Sequence, residues 1–326
     1  MASLVFGSAY TGSAQNVYQS LLADFSAALA EGDLAGYFSV QTASSSLYAL
    51  RSLGSGLRYE FSGSFSYSDG FPTGGSQVTG VALKSASGAL VVSLSGVSYS
   101  VESLVEVTQE EFDVVFDALP WTVTGSSGND VFSASQGASV WSGGDGLDRG
   151  TFKGAAAGFT VSKSGSGYAV VDHTGVEGTV NLTGVERLEF ADSKRALDLG
   201  LNQSGGNTVL LLGAVLGRDL MLSKKPLLGV ALDLFDQGYS LHDLAGALMR
   251  LDIWTLLAGG NSSEQIASYL LRTVNGVAPD AATLAAAVQT LNTGVQGDLL
   301  AELAVTAANQ VQVGLTGLAQ SGLEYL

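Results

Sequence analysis

Three successive rows of nine residues, from 125 to 151, constrain the fold of this chain more than any other feature. They read GSSGNDVFS, ASQGASVWS and GGDGLDRGT, and each row carries Gly in its fourth position. The sixth position holds Asp130, Ser139 and Asp148, and the eighth holds Phe, Trp and Gly. A glycine-rich turn followed by a short strand, repeated every nine residues, predicts a parallel β-roll in which two rows complete one coil.

The residue types in these rows point to a cation. Glycine allows backbone carbonyls to converge, and Asp supplies the hard anionic oxygen that calcium prefers. Rows one coil apart stack, so we expect Asp130 and Asp148 to flank the same ion. The predicted metal ligands are Gly125, Ser127, Asp130, Gly143, Asp145 and Asp148. Ser139 stands where Asp belongs in the middle row, so the opposite edge is expected to bind weakly or not at all. The alternative is a Gly/Asp turn cluster with no ion.

Size and charge exclude several classes of protein. A chain of 326 residues and 33.2 kDa is long for one core, so it predicts more than one domain. The 30 acidic residues outnumber the 14 basic ones and give a net charge of -16, which repels a phosphate backbone. Nucleic acid is therefore excluded as a partner. Only 13% of the residues are charged while 46% are hydrophobic, a composition too apolar for disorder and suited to contacts between copies.

Residue usage also argues against an enzyme. The chain has no Cys and two His, and it contains neither an H-E-x-x-H zinc signature nor a G-x-S-x-G elbow. Both histidines, His173 and His242, are expected at the surface or in packing. No apolar run approaches the length of a membrane span. The first cation is Arg51, so the sequence predicts no cleaved N-terminal secretory signal.

The fold class predicted is multidomain α+β, with three segments. Residues 1–120 are expected to form a mixed α+β domain with a helix over residues 15–31. An aromatic strand over 59–67 has neighbours at 78–83 and 90–94, because aromatic and hydroxyl residues alternate there. A capping box from Thr108 to Glu111 predicts a second helix. Residues 121–200 are predicted to form the β-roll and a following β segment.

Residues 201–326 are predicted to form an all-α domain. A helix is expected over 226–237, and the start signals of the later ones are Ser240, either Ser262 or Ser263, Asp280 and Asp298. The last of these helices is expected to continue through residue 308. From residue 226 onward only Arg250 and Arg272 are basic, so these helices are expected to bury more than one face.

These motifs resemble the RTX family of type I-secreted bacterial proteins. The nonapeptide rows carry the resemblance, together with GVERLEFAD at residues 184–192, which looks like the segment that often follows the last repeat. The helical region, through residues 275–294 and the ending VGLTGLAQSGLEYL, resembles the domain of unknown function that accompanies RTX repeats in secreted surface proteins. The resemblance covers about residues 121–326.

The resemblance implies export through an uncleaved C-terminal signal and folding outside the cell in millimolar calcium. The toxins and proteases of the group carry long repeat arrays and a catalytic domain, neither of which this sequence contains. An array of only three rows is better suited to a structural connection between domains than to driving the folding of an exported chain, the role of a long array.

The function predicted is that of a secreted, calcium-stabilised S-layer-like structural protein that self-assembles at the bacterial cell surface. Its partners would be copies of itself, with outer-membrane polysaccharide or lipid as candidate anchors. The alternative is a monomeric ligand-binding protein, either an adhesin or a haem carrier. Tyr10, Tyr37 and the aromatic residues between 67 and 71 are the candidate haem ligands. A hydrolase with an unrecognised site is a third hypothesis.

Overall fold

The computed structural model describes residues 2–8, 34–106, 118–295 and 297–326, without the side chains of residues 34 and 104–106. The chain forms two compact units, one of Met1–Thr160 with Ser164–Ala191 and one of Val161–Lys163 with Asp192–Leu326. Strands dominate the first and helices the second, so the predicted α+β multidomain class is confirmed.

Strands account for most of the described elements up to residue 191. In chain order they are β1 (Ala2–Phe6), α1 (Leu34–Tyr37), β2 (Phe38–Ala43), β3 (Leu47–Ser52), β4 (Arg58–Ser64), β5 (Tyr67–Ser68), β6 (Phe71–Pro72), β7 (Gln77–Lys84), β8 (Leu90–Ser100), α2 (Val101–Glu106), β9 (Trp121–Thr124), β10 (Val131–Ser133), β11 (Ser139–Ser142), β12 (Arg149–Thr151), a 3-10 turn (Ala156–Gly158), β13 (Phe159–Ser164), β14 (Gly167–Asp172), β15 (Thr179–Thr183) and β16 (Arg187–Glu189).

The N-terminal strands form an antiparallel sheet in the order β2-β3-β4-β7-β8-β1. Its buried face holds Tyr59, which is fully buried and packs edge-on against Phe38 at 5.6 Å between ring centroids. On its other side β1 pairs in parallel with β9, with Leu4 opposite Val123. The boundary predicted after residue 120 therefore falls within one continuous sheet.

The predicted strands at 78–83 and 90–94 are confirmed as β7 and β8. The aromatic strand predicted over 59–67 is shorter than expected, because β4 ends at Ser64 and the amide of Phe65 donates to the carbonyl of Ser45 instead of continuing the ladder. The helix predicted over 15–31 and the capping box at 108–111 lie outside the described residues.

Ten α-helices and two short strands form the second part of the described chain. They are β17 (Lys194–Ala196), α3 (Ser204–Leu216), α4 (Arg218–Ser223), α5 (Lys225–Asp236), α6 (Leu241–Met249), α7 (Trp254–Leu257), α8 (Ser263–Asn275), α9 (Ala281–Thr293), α10 (Asp298–Ala304), α11 (Ala307–Gln312), α12 (Leu315–Leu318) and β18 (Leu323–Tyr325).

The core of the helical unit surrounds α3, in which every residue from 208 to 215 is buried. The predicted N-caps are confirmed at Ser240, Ser262 and Asp280, whose side chains each accept a hydrogen bond from the amide three residues later. The prediction of one helix from 298 to 308 is wrong. The helix ends at Ala304, because Thr306 caps a new helix by accepting a hydrogen bond from the amide of Asn309.

Among the described helices, none combines the length and the apolarity that crossing a membrane requires.

Candidate calcium-binding turns

The first and third nonapeptide rows stack one coil apart, as their period predicts. Strands β10 and β12 pair in parallel with Val131 opposite Arg149, and β9 and β11 pair in parallel with Trp141 opposite Val123. Successive strands therefore alternate between two parallel arrays. A third coil follows after a longer connection, since β15 pairs in parallel with β11 and β16 pairs in parallel with β12.

The apolar eighth residues point into this coil, as expected. Phe132 and Trp141 are almost fully buried, and their rings stack at 5.5 Å between centroids. In the third row Gly150 takes this place, and a Cβ there would lie 2.6 Å from the Trp141 ring. The glycine thus provides the space that the indole occupies.

A ladder of acidic side chains joins the turns of the three coils. The amide of Ser126 donates to Asp130 Oδ2 at 2.6 Å. The amide of Asp130 donates to Asp148 Oδ1 at 2.8 Å, and the amide of Asp148 donates to Glu186 Oε2 at 2.9 Å. Asp148 and Glu186 therefore each accept a hydrogen bond from the backbone of the preceding turn, whereas Asp130 accepts one from within its own turn.

Glycines open two equivalent niches beside this ladder. A Cβ on Gly125 would lie 2.0 Å from the carbonyl oxygen of Gly143 and 2.7 Å from Asp130 Oδ2. A Cβ on Gly143 would lie 1.7 Å from the carbonyl oxygen of Gly184 and 2.3 Å from Asp148 Oδ2. In each niche a carboxylate oxygen of one turn and a carbonyl oxygen of the next therefore pack against the glycine Cα, a close approach that only glycine permits.

The two niches differ in how their carboxylates are satisfied. Asp130 Oδ2 accepts from the Ser126 amide and lies 3.1 Å from the Ser126 hydroxyl oxygen. Asp148 Oδ2 is buried and has no hydrogen-bond partner among the described residues. A buried carboxylate oxygen without a partner is costly, so the second niche is the one with an unmet need for positive charge.

The electrostatics of Asp148 reflect this burial. Burial raises the pKa of Asp148, the hydrogen bond from the Asp130 amide lowers it, and the charges of Glu186 and Asp130 raise it again, to about 6 from its ordinary 3.8.

The predicted ligands occupy different positions in these turns. Gly125, Asp130, Gly143 and Asp148 are brought together as described, whereas Ser127 and Asp145 are exposed. Among the described residues, no group of three or more His, Asp or Glu side chains is placed to hold a metal. A calcium ion here would therefore need backbone carbonyls as well as carboxylates. The Asp148 carboxylate and the Gly184 carbonyl fit that donor set, since calcium takes six to eight oxygens of both kinds.

Glu186 and Gly184 are the residues that the sequence prediction missed. The signal was present, because Gly184, Glu186 and Leu188 repeat the spacing of the fourth, sixth and eighth positions of a row. The similarity is clearest when GLDRG at residues 146–150 is aligned with GVERL at residues 184–188. The alignment is hidden by the 38 residues that separate Asp148 from Glu186, where Asp130 and Asp148 are 18 apart.

On the opposite edge of the coil, the neutral Ser139 takes the place that Asp130 and Asp148 take on the edge described above. Ser139 is buried, and its hydroxyl donates to the carbonyl of Gly137 at 3.3 Å. The predicted weakness of this edge as a cation site stays a prediction.

Asp172, at the end of β14, is a buried carboxylate with a different role. Its oxygens accept from the amides of Thr174, Val176 and Glu177 and from the Thr174 hydroxyl, at 2.7–2.8 Å. Burial by itself would raise the pKa of Asp172, but these hydrogen bonds lower it to about 2. The ionised carboxylate therefore holds the loop before β15 in place.

Replacing Asp172 with Asn is expected to destabilise the protein by about 2 kcal/mol at pH 7, because an amide nitrogen cannot accept these hydrogen bonds. The loss should shrink as the pH falls from about 4 towards 2, where the wild-type carboxylate is itself protonated. Urea unfolding at several pH values measures both effects. Asp69→Asn, in an exposed turn, is the matched control, and equal stability of the two variants at pH 7 would contradict the assignment.

The other candidate residues lie apart from these turns. His173 is exposed, with Nε2 at 2.7 Å from Thr160 Oγ1, and His242 is exposed with Nε2 at 2.8 Å from Asp298 Oδ1, so both surface predictions are confirmed. Of the candidate haem ligands, Tyr10 lies outside the described residues. The hydroxyl of Tyr67 donates to the carbonyl of Ser44 at 2.7 Å, and its ring packs against Tyr48.

Comparison of the chain with protein family models, with curated protein sequences and with solved structures finds no match. The described part of the chain stacks three successive coils and shows no recognisable RTX repeat solenoid. The RTX resemblance therefore stays a prediction from the residues.

Proposed function

We propose that this protein is a secreted, calcium-stabilised structural protein whose copies assemble into a surface layer or a related extracellular array. The observation that carries the proposal is the surface of the helical unit. Large apolar side chains are exposed there on several elements, among them Leu256 at 87%, Val311 at 78% and Val277 at 66%. Only two basic and nine acidic residues occur from 226 onward, so few charges interrupt the apolar side chains of this surface.

Calcium acts in this proposal through the stacked turns. Asp130, Asp148 and Glu186 place three carboxylates along one ladder, and a divalent cation would offset their repulsion. An ion that binds the folded turns and not the unfolded chain stabilises the folded state by mass action. Extracellular calcium at millimolar concentration would therefore hold this part of the protein rigid, and would also screen repulsion between copies that carry a charge of -16 each.

The partners in this proposal are copies of the same chain. Outer-membrane polysaccharide or lipid would anchor the array, and nucleic acid is excluded by the charge. The role is structural, and no catalytic step belongs to it.

Purified protein in millimolar calcium is expected to form sheets, tubes or filaments that dissolve into monomers on chelation. Negative-stain microscopy beside light scattering measures this directly. Asp148→Asn should reduce assembly at a given calcium concentration, whereas Asp236→Asn on α5 should leave it unchanged. A wild-type protein that remains monomeric in millimolar calcium would contradict the proposal and favour the monomeric ligand-binding alternative.

A further inference from the structure

We propose that the calcium ion binds between the second and third coils, where the turn of residues 184–186 completes a site centred on Asp148. This inference rests on the calcium-binding part of the proposed function and locates the site within it. It differs from the site expected from the repeats alone, which is shared by Asp130 and Asp148 and uses no residue beyond 148.

One carboxylate oxygen of Asp148 lacks a hydrogen-bond partner in the described part of the chain. Asp148 is fully buried, its Oδ1 accepts from the Asp130 amide, and its Oδ2 has no hydrogen-bond partner among the described residues. The equivalent oxygen one coil earlier, Asp130 Oδ2, is already held by the Ser126 amide. The residue in the corresponding place of the third row is Gly144, which has no hydroxyl and whose amide does not donate to Asp148 Oδ2. A cation is therefore favoured at Asp148 over Asp130.

Oxygens of the third coil converge with the Asp148 carboxylate. A Cβ on Gly143 would lie 2.3 Å from Asp148 Oδ2 and 1.7 Å from the Gly184 carbonyl oxygen, so these two oxygens lie within about 4 Å of each other. The hydrogen bond from the Asp148 amide to Glu186 Oε2 brings a second carboxylate to the same turn. One carbonyl and two carboxylates are hard oxygen donors of the kind that calcium combines.

The strands on either side fix the position of residues 184–186. Trp141 lies opposite Leu182 in one parallel pair, and Arg149 lies opposite Arg187 in the other. Both ends of the short turn are thus fixed against the second coil. A turn held at both ends presents its carbonyl and carboxylate with little freedom left to lose on binding.

Calorimetric titration of the full chain with calcium chloride tests the site. Wild-type protein is expected to bind calcium, and Glu186→Gln is expected to weaken the affinity at least tenfold. Gln keeps an oxygen that accepts from the Asp148 amide, so circular dichroism without calcium should match that of the wild type. Asp69→Asn is the control, because it removes one charge from an exposed side chain outside these turns, and its affinity should change less than about threefold.

A second comparison keeps the test decisive if Glu186→Gln does not fold. Asp148→Asn is expected to abolish measurable binding, while Asp130→Asn should reduce the affinity by less than tenfold. Equal losses in these two variants, or equal effects of Glu186→Gln and Asp69→Asn, would overturn the third-coil site. Absence of binding by the wild type would overturn it too. Assembly measured in parallel distinguishes failure of the third-coil site from failure of the proposed function. If the wild type forms calcium-dependent arrays while Glu186→Gln binds calcium with unchanged affinity, the third-coil site is overturned and the proposed function stands.

Discussion

Replacing Gly143 with alanine is expected to cost about 3 kcal/mol of folding free energy and to abolish calcium binding. An added Cβ would meet the Gly184 carbonyl oxygen at 1.7 Å and Asp148 Oδ2 at 2.3 Å. The first oxygen belongs to the backbone. The second belongs to a short, buried carboxylate whose other oxygen is held by the Asp130 amide, so neither can move aside at low cost. The amide of Gly143 also donates to the carbonyl of Thr183 at 2.9 Å, so the backbone cannot retreat without breaking the contact between the coils.

Urea unfolding without calcium measures the loss of stability, and titration with calcium measures the loss of the site. Gly54→Ala is the control, because a Cβ at that exposed turn meets no atom within 4 Å. The same chemical change should therefore be nearly neutral there. A Gly143→Ala variant as stable as Gly54→Ala would show that the coils can separate to admit a methyl group, and the niche would then not be rigid enough to select a cation.

The sequence predicted the parts of the fold that local chemistry determines. The nine-residue period predicted the stacking of Asp130 on Asp148, because one coil takes two rows whatever surrounds it. The N-caps at Ser240, Ser262 and Asp280 were predicted for the same reason, since a cap depends on residues three apart.

What the sequence did not reveal depends on contacts between distant residues. The pairing of β1 with β9 joins residues 2–5 to residues 121–124, and no local pattern records it. The third coil is concealed in the same way, because a longer connection separates Asp148 from Glu186 and breaks the period. The exposed position of Asp145 was also missed, although its row has the best match to the repeat. Spacing identifies the turn but not which of its side chains faces inward.

The calcium-free protein is expected to lose stability as the pH rises from about 4 to above 6, and Asp148→Asn is expected to remove this loss. The pKa of Asp148 is about 6 in the folded chain and near 3.8 when unfolded, so the folded state holds the proton more tightly. The contribution of Asp148 to the free energy of unfolding is therefore largest below pH 4. It declines as the pH rises through 6, by at most about 3 kcal/mol. Asp172 acts in a separate window, because its lowered pKa removes stability only between about pH 4 and pH 2.

Asparagine at position 148 keeps a carbonyl oxygen that accepts from the Asp130 amide. It also places a neutral NH2 donor near the Gly184 carbonyl, so a hydrogen bond replaces the carboxylate oxygen that had no partner among the described residues. At pH 7 without calcium, Asp148→Asn should therefore be more stable than wild type by urea unfolding. In millimolar calcium the order should reverse, because only the wild type gains binding energy. A variant less stable than wild type in both conditions would mean that the Asp148 carboxylate stabilises the fold without an ion, and the reason for placing calcium beside it would be lost.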